Sequence, residues 1–186
     1  MGKKYRLKEI GLNLKQFNNL EPNPCLEYLK QCCGSKKWLT KMEESRPFTS
    51  LEQMLERATE IWNNLAEEDW LQAFLHHPPI GMNKNAIANK FAKNSNFSTK
   101  EQAGVRGSSI QVLKKLEELN KQYQQKFGFI FLINASDKTG EEILEFLQKR
   151  IHSDRATEIR TAAEQLAFIN TRRLTKMFQK SHQTMD

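Results

Sequence analysis

The sequence predicts an all-α fold: a single-domain helical bundle over residues 1–186, with one extended buried segment near 127–134. Three observations carry this expectation. Apolar residues recur at three- and four-residue spacing in several long windows. Capping residues stand just ahead of those windows. The most strand-like stretch, "FGFIFLIN" from Phe127 to Asn134, has no second convincing strand to pair with, and a lone strand leaves its backbone groups unsatisfied.

The elements follow in order. "TSLEQMLERATEIWNNLAEEDWLQAFLHH" opens on Ser50, with Gln53 three residues later, the signature of a capping box. Leu51, Met54, Leu55, Ala58, Ile61 and Leu65 then fall on one helical face. A break is expected near Glu67, after which Trp70, Leu71, Phe74 and Leu75 continue the pattern. Leu113, Leu116, Leu119, Tyr123 and Phe127 mark another helix, and Gly128 suits the left-handed position that ends it. Thr139 and Glu142 form a second capping box before Ile143, Phe146, Leu147 and Ile151. The last helix is expected from about Asp154 to Lys180. "FGFIFLIN" is read as an extended buried segment between helices, its backbone N–H groups available to a ligand. Scattered glycine and proline mark no interdomain linker, and no internal repeat appears.

Composition narrows the function classes. Charged residues make up 27% and hydrophobic ones 38% of the chain, a globular balance rather than a disordered one. No apolar run approaches the roughly 18 residues of a membrane span. The opening "MGKKYRLKEIGLNLKQF" lacks the apolar core of a secretory signal. Cys25, Cys32 and Cys33 make no even disulfide framework and suit a reducing cytoplasm. No Cys and His spacing describes a metal site, so no metal is expected. The formal net charge of +7 points to an anionic partner, either nucleic acid or a small acid. The basic residues are interspersed with acids, and no zinc-finger, RNP or GXXG signature accompanies them, so nucleic acid is not the expected partner.

Three places collect chemistry. In "LHHPPIG" (Leu75–Gly81), His77 precedes proline and is forced out of the α region as its helix ends. Pro78 and Pro79 then hold an imidazole with little freedom left to lose when a substrate arrives. A histidine at a helix C-terminus also suits the helix dipole, a role that fits His76 better than His77. In "FSTKEQAGV" (Phe97–Val105), Ser98 and Glu101 form a capping box sufficient in itself, yet the same N-terminus with Gln102 offers donors to a carboxylate or a urea-like group. On the last helix Ile159, Ala162, Ala163, Leu166, Ile169 and Met177 form one apolar stripe. Arg173 lies inside that stripe and Arg172 off it. An inward arginine is either part of a structural ion pair or aimed at a bound anion.

With "NPCLEYLKQCCGSKKWLTKMEESRPFTSLEQML", "HHPPIG", "STKEQAG", "LEELNKQYQQKFGFIFLINASDKTGEEIL" and "AAEQLAFINTRRL" in that order, the chain resembles the 2-oxo-4-hydroxy-4-carboxy-5-ureidoimidazoline (OHCU) decarboxylase family of uric acid degradation. The resemblance covers nearly the whole chain. It implies an all-helical, homodimeric, cytoplasmic enzyme: a cofactor-independent carboxy-lyase yielding (S)-allantoin and carbon dioxide. It implies that His77 is catalytic and that Glu101 holds it, fixing its tautomer and raising its pKa. It further implies substrate contacts at Pro78, Ser98, Gln102, Arg173 and the backbone from Ile133 through Asn134 and Ala135 to Asp137. Pro79 stands where many members carry a polar residue, so no role passes to that side chain. The alternative from another class is a helical binding module for an anionic partner, nucleic acid or small acid, without catalysis; a third is an enzyme acting on a different small acid.

Overall fold

The structure, a computed structural model, describes residues 12–80 and 104–179. Among the described residues the regular elements are α-helices and one 3₁₀ turn, with no strand, as the sequence predicts. The helices are α1 (Leu14–Asn18), α2 (Pro22–Leu29), α3 (Lys36–Glu44), α4 (Leu51–Asn63), α5 (Glu67–Phe74), α6 (Ile110–Phe127), α7 (Gly140–Arg150) and α8 (Arg155–Gln179); the 3₁₀ turn is Gly104–Gly107. None of the described helices is long and apolar enough to cross a membrane. The described residues form two compact units, 12–65 with 170–179, and 66–80 with 104–169; α8 contributes to both.

The first unit is organised by caps and one arginine. Asn13 and Gln16 close a capping box on α1, proline occupies the first turn of α2, and the buried Ser35 caps α3 by accepting the Trp38 N–H. Ser50 caps α4 by accepting the Gln53 N–H, but the Gln53 side chain reaches one residue further back than a capping box requires, to the Thr49 N–H at 2.7 Å. The core gathers Phe17, Tyr28 and Phe178, with Phe17 and Phe178 meeting edge to face at 5.4 Å. Trp38 is buried and donates its indole N–H to the Ala58 carbonyl at 3.0 Å. Arg46, Pro47 and Phe48 follow α3 and tie it to α1. Arg46 donates to the carbonyls of Phe17, Asn18 and Leu20, satisfying the C-terminal end of α1, and Asn18 pairs both ways with the Phe48 backbone. The Arg46–Pro47 peptide is cis.

The second unit is built around α6. Ser109 caps it, and Gly128 ends it at φ +82°, in the left-handed region that favours glycine. Tyr123, Phe127, Phe129 and Phe131 form an aromatic cluster, with Phe74 of α5 against Phe129. Thr139 and Glu142 make the expected capping box on α7. Gly140 approaches Ser108 so closely that its N–H donates to Ser108 Oγ at 3.1 Å. The stretch after Gly128 is in neither helix nor strand, and Phe129, Phe131, Leu132 and Ile133 are buried. Two predicted core positions differ. Leu75 is 79% exposed because α5 has already ended at Phe74, and Phe146 is 44% exposed because it stands at the rim of the α7 stripe, where Ile143 and Leu147 take the buried face.

Candidate functional site

The end of α5 separates the two histidines. His76 is exposed, while His77 is only 5% exposed and Pro78 is buried beside it. The chain leaves the helix through single turns: the His76 N–H donates to Ala73 and the His77 N–H to Phe74, each at 3.1 Å. Past the prolines, Asn120 of α6 donates through Nδ2 to the Ile80 carbonyl at 3.4 Å and to its own Leu116 carbonyl at 2.8 Å. The backbone that carries His77 is held on both sides in this way, which limits where its buried imidazole can go. Ser98, Glu101 and Gln102 lie outside the described residues.

The extended segment is held at two points. Arg150, near the end of α7, donates to the Leu132 carbonyl at 2.7 Å while its guanidinium lies 4.6 Å from the Phe131 ring centre. The same guanidinium meets Glu158, which is fully buried, through Nε at 2.8 Å and Nη2 at 2.5 Å, and the Tyr123 hydroxyl donates to the same carboxylate oxygen. Burial, reinforced by that hydrogen bond to Glu158, pushes the Tyr123 phenol far above its usual range. Two residues beyond Leu132, the Asn134 N–H is taken by Gln165 Oε1 at 3.0 Å, and the Ser136 N–H turns back to Asn134 Oδ1. The segment therefore does not offer every amide, as the sequence suggests; Asn134 gives its N–H to the protein. Among the described residues no hydrogen bond reaches the N–H of Ile133 or Ala135, although both residues are over nine-tenths buried. Buried backbone donors of this kind are normally paired. The segment ends at Asp137, whose φ of +64° lies in the left-handed region that aspartate tolerates.

Arg173 is 1% exposed, as the α8 stripe predicts, whereas Arg172, off the stripe and expected toward solvent, is half-buried. Arg173 Nη1 approaches the Cys32 carbonyl at 3.5 Å, and its charge acts on the Cys33 thiol. Burial nonetheless pushes the Cys33 thiol up to about 12, opposed by the Ser35 backbone and by Arg173. Among the described residues no group of three or more His, Cys, Asp or Glu gathers in a way that could hold a metal ion.

The model of the OHCU decarboxylase family matches residues 18–175. The chain belongs to the OHCU decarboxylase family. A solved structure described as OHCU decarboxylase in the presence of (S)-allantoin is 32% identical, with a TM-score of 0.68, and is matched over 82% of this chain and 98% of its own. The uric acid degradation bifunctional protein TTL of Arabidopsis thaliana is 36% identical over 80% of this chain. A 2-oxo-4-hydroxy-4-carboxy-5-ureidoimidazoline decarboxylase of Haloferax volcanii is 24% identical over 90% of this chain and 96% of its own length. The chain spans 46% of the length of the Arabidopsis protein and 33% of a bifunctional relative from Bacillus.

Membership of the OHCU decarboxylase family gives the buried residues of this chain a context that spacing alone did not. Sequence reasoning missed Asn120, Arg150, Glu158, Gln165 and Asn170. Glu158 and Asn170 were detectable, because Glu158, Ala162, Leu166, Asn170, Arg173 and Met177 follow one another at three- and four-residue steps, and all six are buried. Asn120 was detectable in the same way, because Leu116, Asn120, Tyr123 and Phe127 follow one another at such steps and all are buried; Gln165 carries no such signal, and its partner is a backbone group distant in sequence.

Proposed function

We propose that this chain decarboxylates OHCU to (S)-allantoin and carbon dioxide, with His77 as the proton-moving group. The carrying observation is the contrast at the end of α5, where the histidine before the proline pair is buried and restrained and its neighbour is exposed. The family match over residues 18–175 and the likeness to a structure solved with (S)-allantoin support the substrate class.

The reaction needs no electron sink beyond the substrate. The carboxylate sits on the ring carbon next to the imine carbon. When its C–C bond breaks, the electron pair forms a ring double bond, the imine nitrogen takes a proton, and carbon dioxide leaves. Protonation at the carbon bearing the ureido group and loss of the hydroxyl proton then give allantoin, one proton being consumed overall. The protein must orient the substrate, stabilise charge on the oxygens, and deliver the proton to one face. In this reading His77 delivers it and so sets the handedness, Pro78 packs beside the ring, and Glu101 fixes the imidazole tautomer. Ser98 and Gln102 hydrogen-bond the substrate, and Arg173 holds anionic oxygens. The N–H groups of Ile133 and Ala135 and the carbonyl of Asn134 bind the ring or ureido group.

The same reading makes the chain a single catalytic domain, acting as a homodimer in the cytoplasm; three free cysteines, all buried, suit that compartment. Light scattering on the purified protein tests the dimer. For the activity, the purified protein is mixed with freshly generated OHCU and the optical activity of allantoin is followed. Rapid formation of the (S) enantiomer is expected, and slow racemic product in the presence of the protein would overturn the reading.

A further inference from the structure

Asn170 stands on α8 one turn before Arg173 and is 4% exposed. Neither Nδ2 nor Oδ1 of its amide has a hydrogen-bond partner among the described residues. The amide faces the Cys33 thiol, which is too weak a donor and acceptor to satisfy it. A buried amide left in this state is costly, and native interiors avoid it unless something else pairs with it. The surrounding stripe offers no structural reason for polarity. Ala162, Ala163, Leu166, Ile169, Leu174 and Met177 are all buried on α8, and a leucine of nearly the same size would continue the pattern.

What distinguishes the position is its neighbour. A guanidinium supplies charge and donors but no acceptor, whereas an amide supplies both a donor and an acceptor without charge. Side by side on successive turns, the two match a molecule whose anionic oxygens adjoin a neutral N–H or C=O. A carboxylated cyclic ureide has that edge.

We propose that Asn170 is a substrate-binding residue, its amide hydrogen-bonding the neutral edge of a carboxylated ureide whose anionic oxygens Arg173 holds. This deepens the decarboxylase reading and rests on it. The empty protein bears the cost of the unsatisfied amide, and the substrate repays it on binding.

The test is Asn170→Leu, measured for thermal stability and for turnover of freshly generated OHCU beside the unaltered protein. The substitution should leave Tm unchanged or raise it, while kcat/KM falls roughly 10- to 100-fold through loss of the buried hydrogen bonds. A purely structural asparagine would lose both together. Asn170→Asp keeps the shape but sets a carboxylate near Arg173 that competes with the substrate, so kcat/KM should fall at least as far. Turnover by Asn170→Leu within about 2-fold of the unaltered protein would overturn the inference, on the same conversion of rate to free energy. So would a marked fall in its Tm, which would mean the amide is satisfied within the protein. Absence of turnover by the unaltered protein would overturn the decarboxylase reading and this inference with it.

Discussion

Tyr123→Phe isolates one hydrogen bond in the buried cluster that holds the extended segment. The ring is fully buried against Phe127 at 4.6 Å, Phe131 at 5.3 Å and Phe129 at 5.9 Å, and phenylalanine preserves all three contacts. What disappears is the hydroxyl that donates to Glu158 Oε1. That oxygen keeps Arg150 Nε at 2.8 Å and Nη2 at 2.5 Å, whereas Glu158 Oε2 is buried with no partner among the described residues. A hydrogen bond to a charged group contributes about 1.5–3 kcal/mol. Two charged donors remain on the carboxylate and no cavity opens, so a loss of about 2 kcal/mol is expected, near the middle of that range. For a chain of this length that corresponds to a fall in Tm of roughly 4–8 °C. Thermal unfolding at pH 7 with a parallel urea titration measures it, and an unchanged m value would show that only stability moved. A variant as stable as the original, or more so, would refute the idea that Tyr123 helps to neutralise the buried carboxylate.

Three further outcomes follow from the same geometry. The thiols of Cys25 and Cys33 are pushed up to about 11 and about 12, chiefly by burial, so Ellman's reagent at pH 8 should find both silent in the folded protein and reactive once denaturant is added. Because the folded thiols keep their protons where unfolded ones release them near the ordinary 9.0, this stabilisation is fully present below pH 9; it declines as pH rises through 11 and 12, and the urea midpoint should fall across that window. Gly140→Ala sets a Cβ 2.2 Å from Ser108 Oγ and 2.9 Å from its Cβ, so it should destabilise by about 1–3 kcal/mol as judged by urea unfolding. Arg173→Lys keeps a charge but loses the planar fork, and kcat/KM should fall roughly 10- to 100-fold with the helical circular dichroism retained.

The fold was legible because local signals agree with the tertiary outcome. Ser50, Gly128 and the Thr139–Glu142 pair mark helix ends that the structure keeps within a residue or two. The stripe on α8 also foretold the burial of Arg173, and the proline rule picked His77 over His76. What the sequence hides is pairing at a distance. Nothing around Gln165 announces that its side chain takes the Asn134 N–H thirty-one residues earlier, and nothing near Arg150 announces its bond to the Leu132 carbonyl. The capping box at Ser50 was half legible, because Gln53 there bonds Thr49. Periodicity misplaced Leu75 and Phe146 because it reports a face, not where a helix ends or how wide its cover is.

The central claim is that the imidazole locked ahead of Pro78 moves the proton in a decarboxylation. Steady-state turnover of OHCU by His77→Asn, beside His76→Asn and the unaltered protein, tests it most directly. The account predicts a roughly 10²–10⁴-fold loss for His77→Asn with its circular dichroism preserved, and little change for the exposed His76. Near-normal (S)-allantoin formation by His77→Asn, or equal losses in both variants, would contradict it.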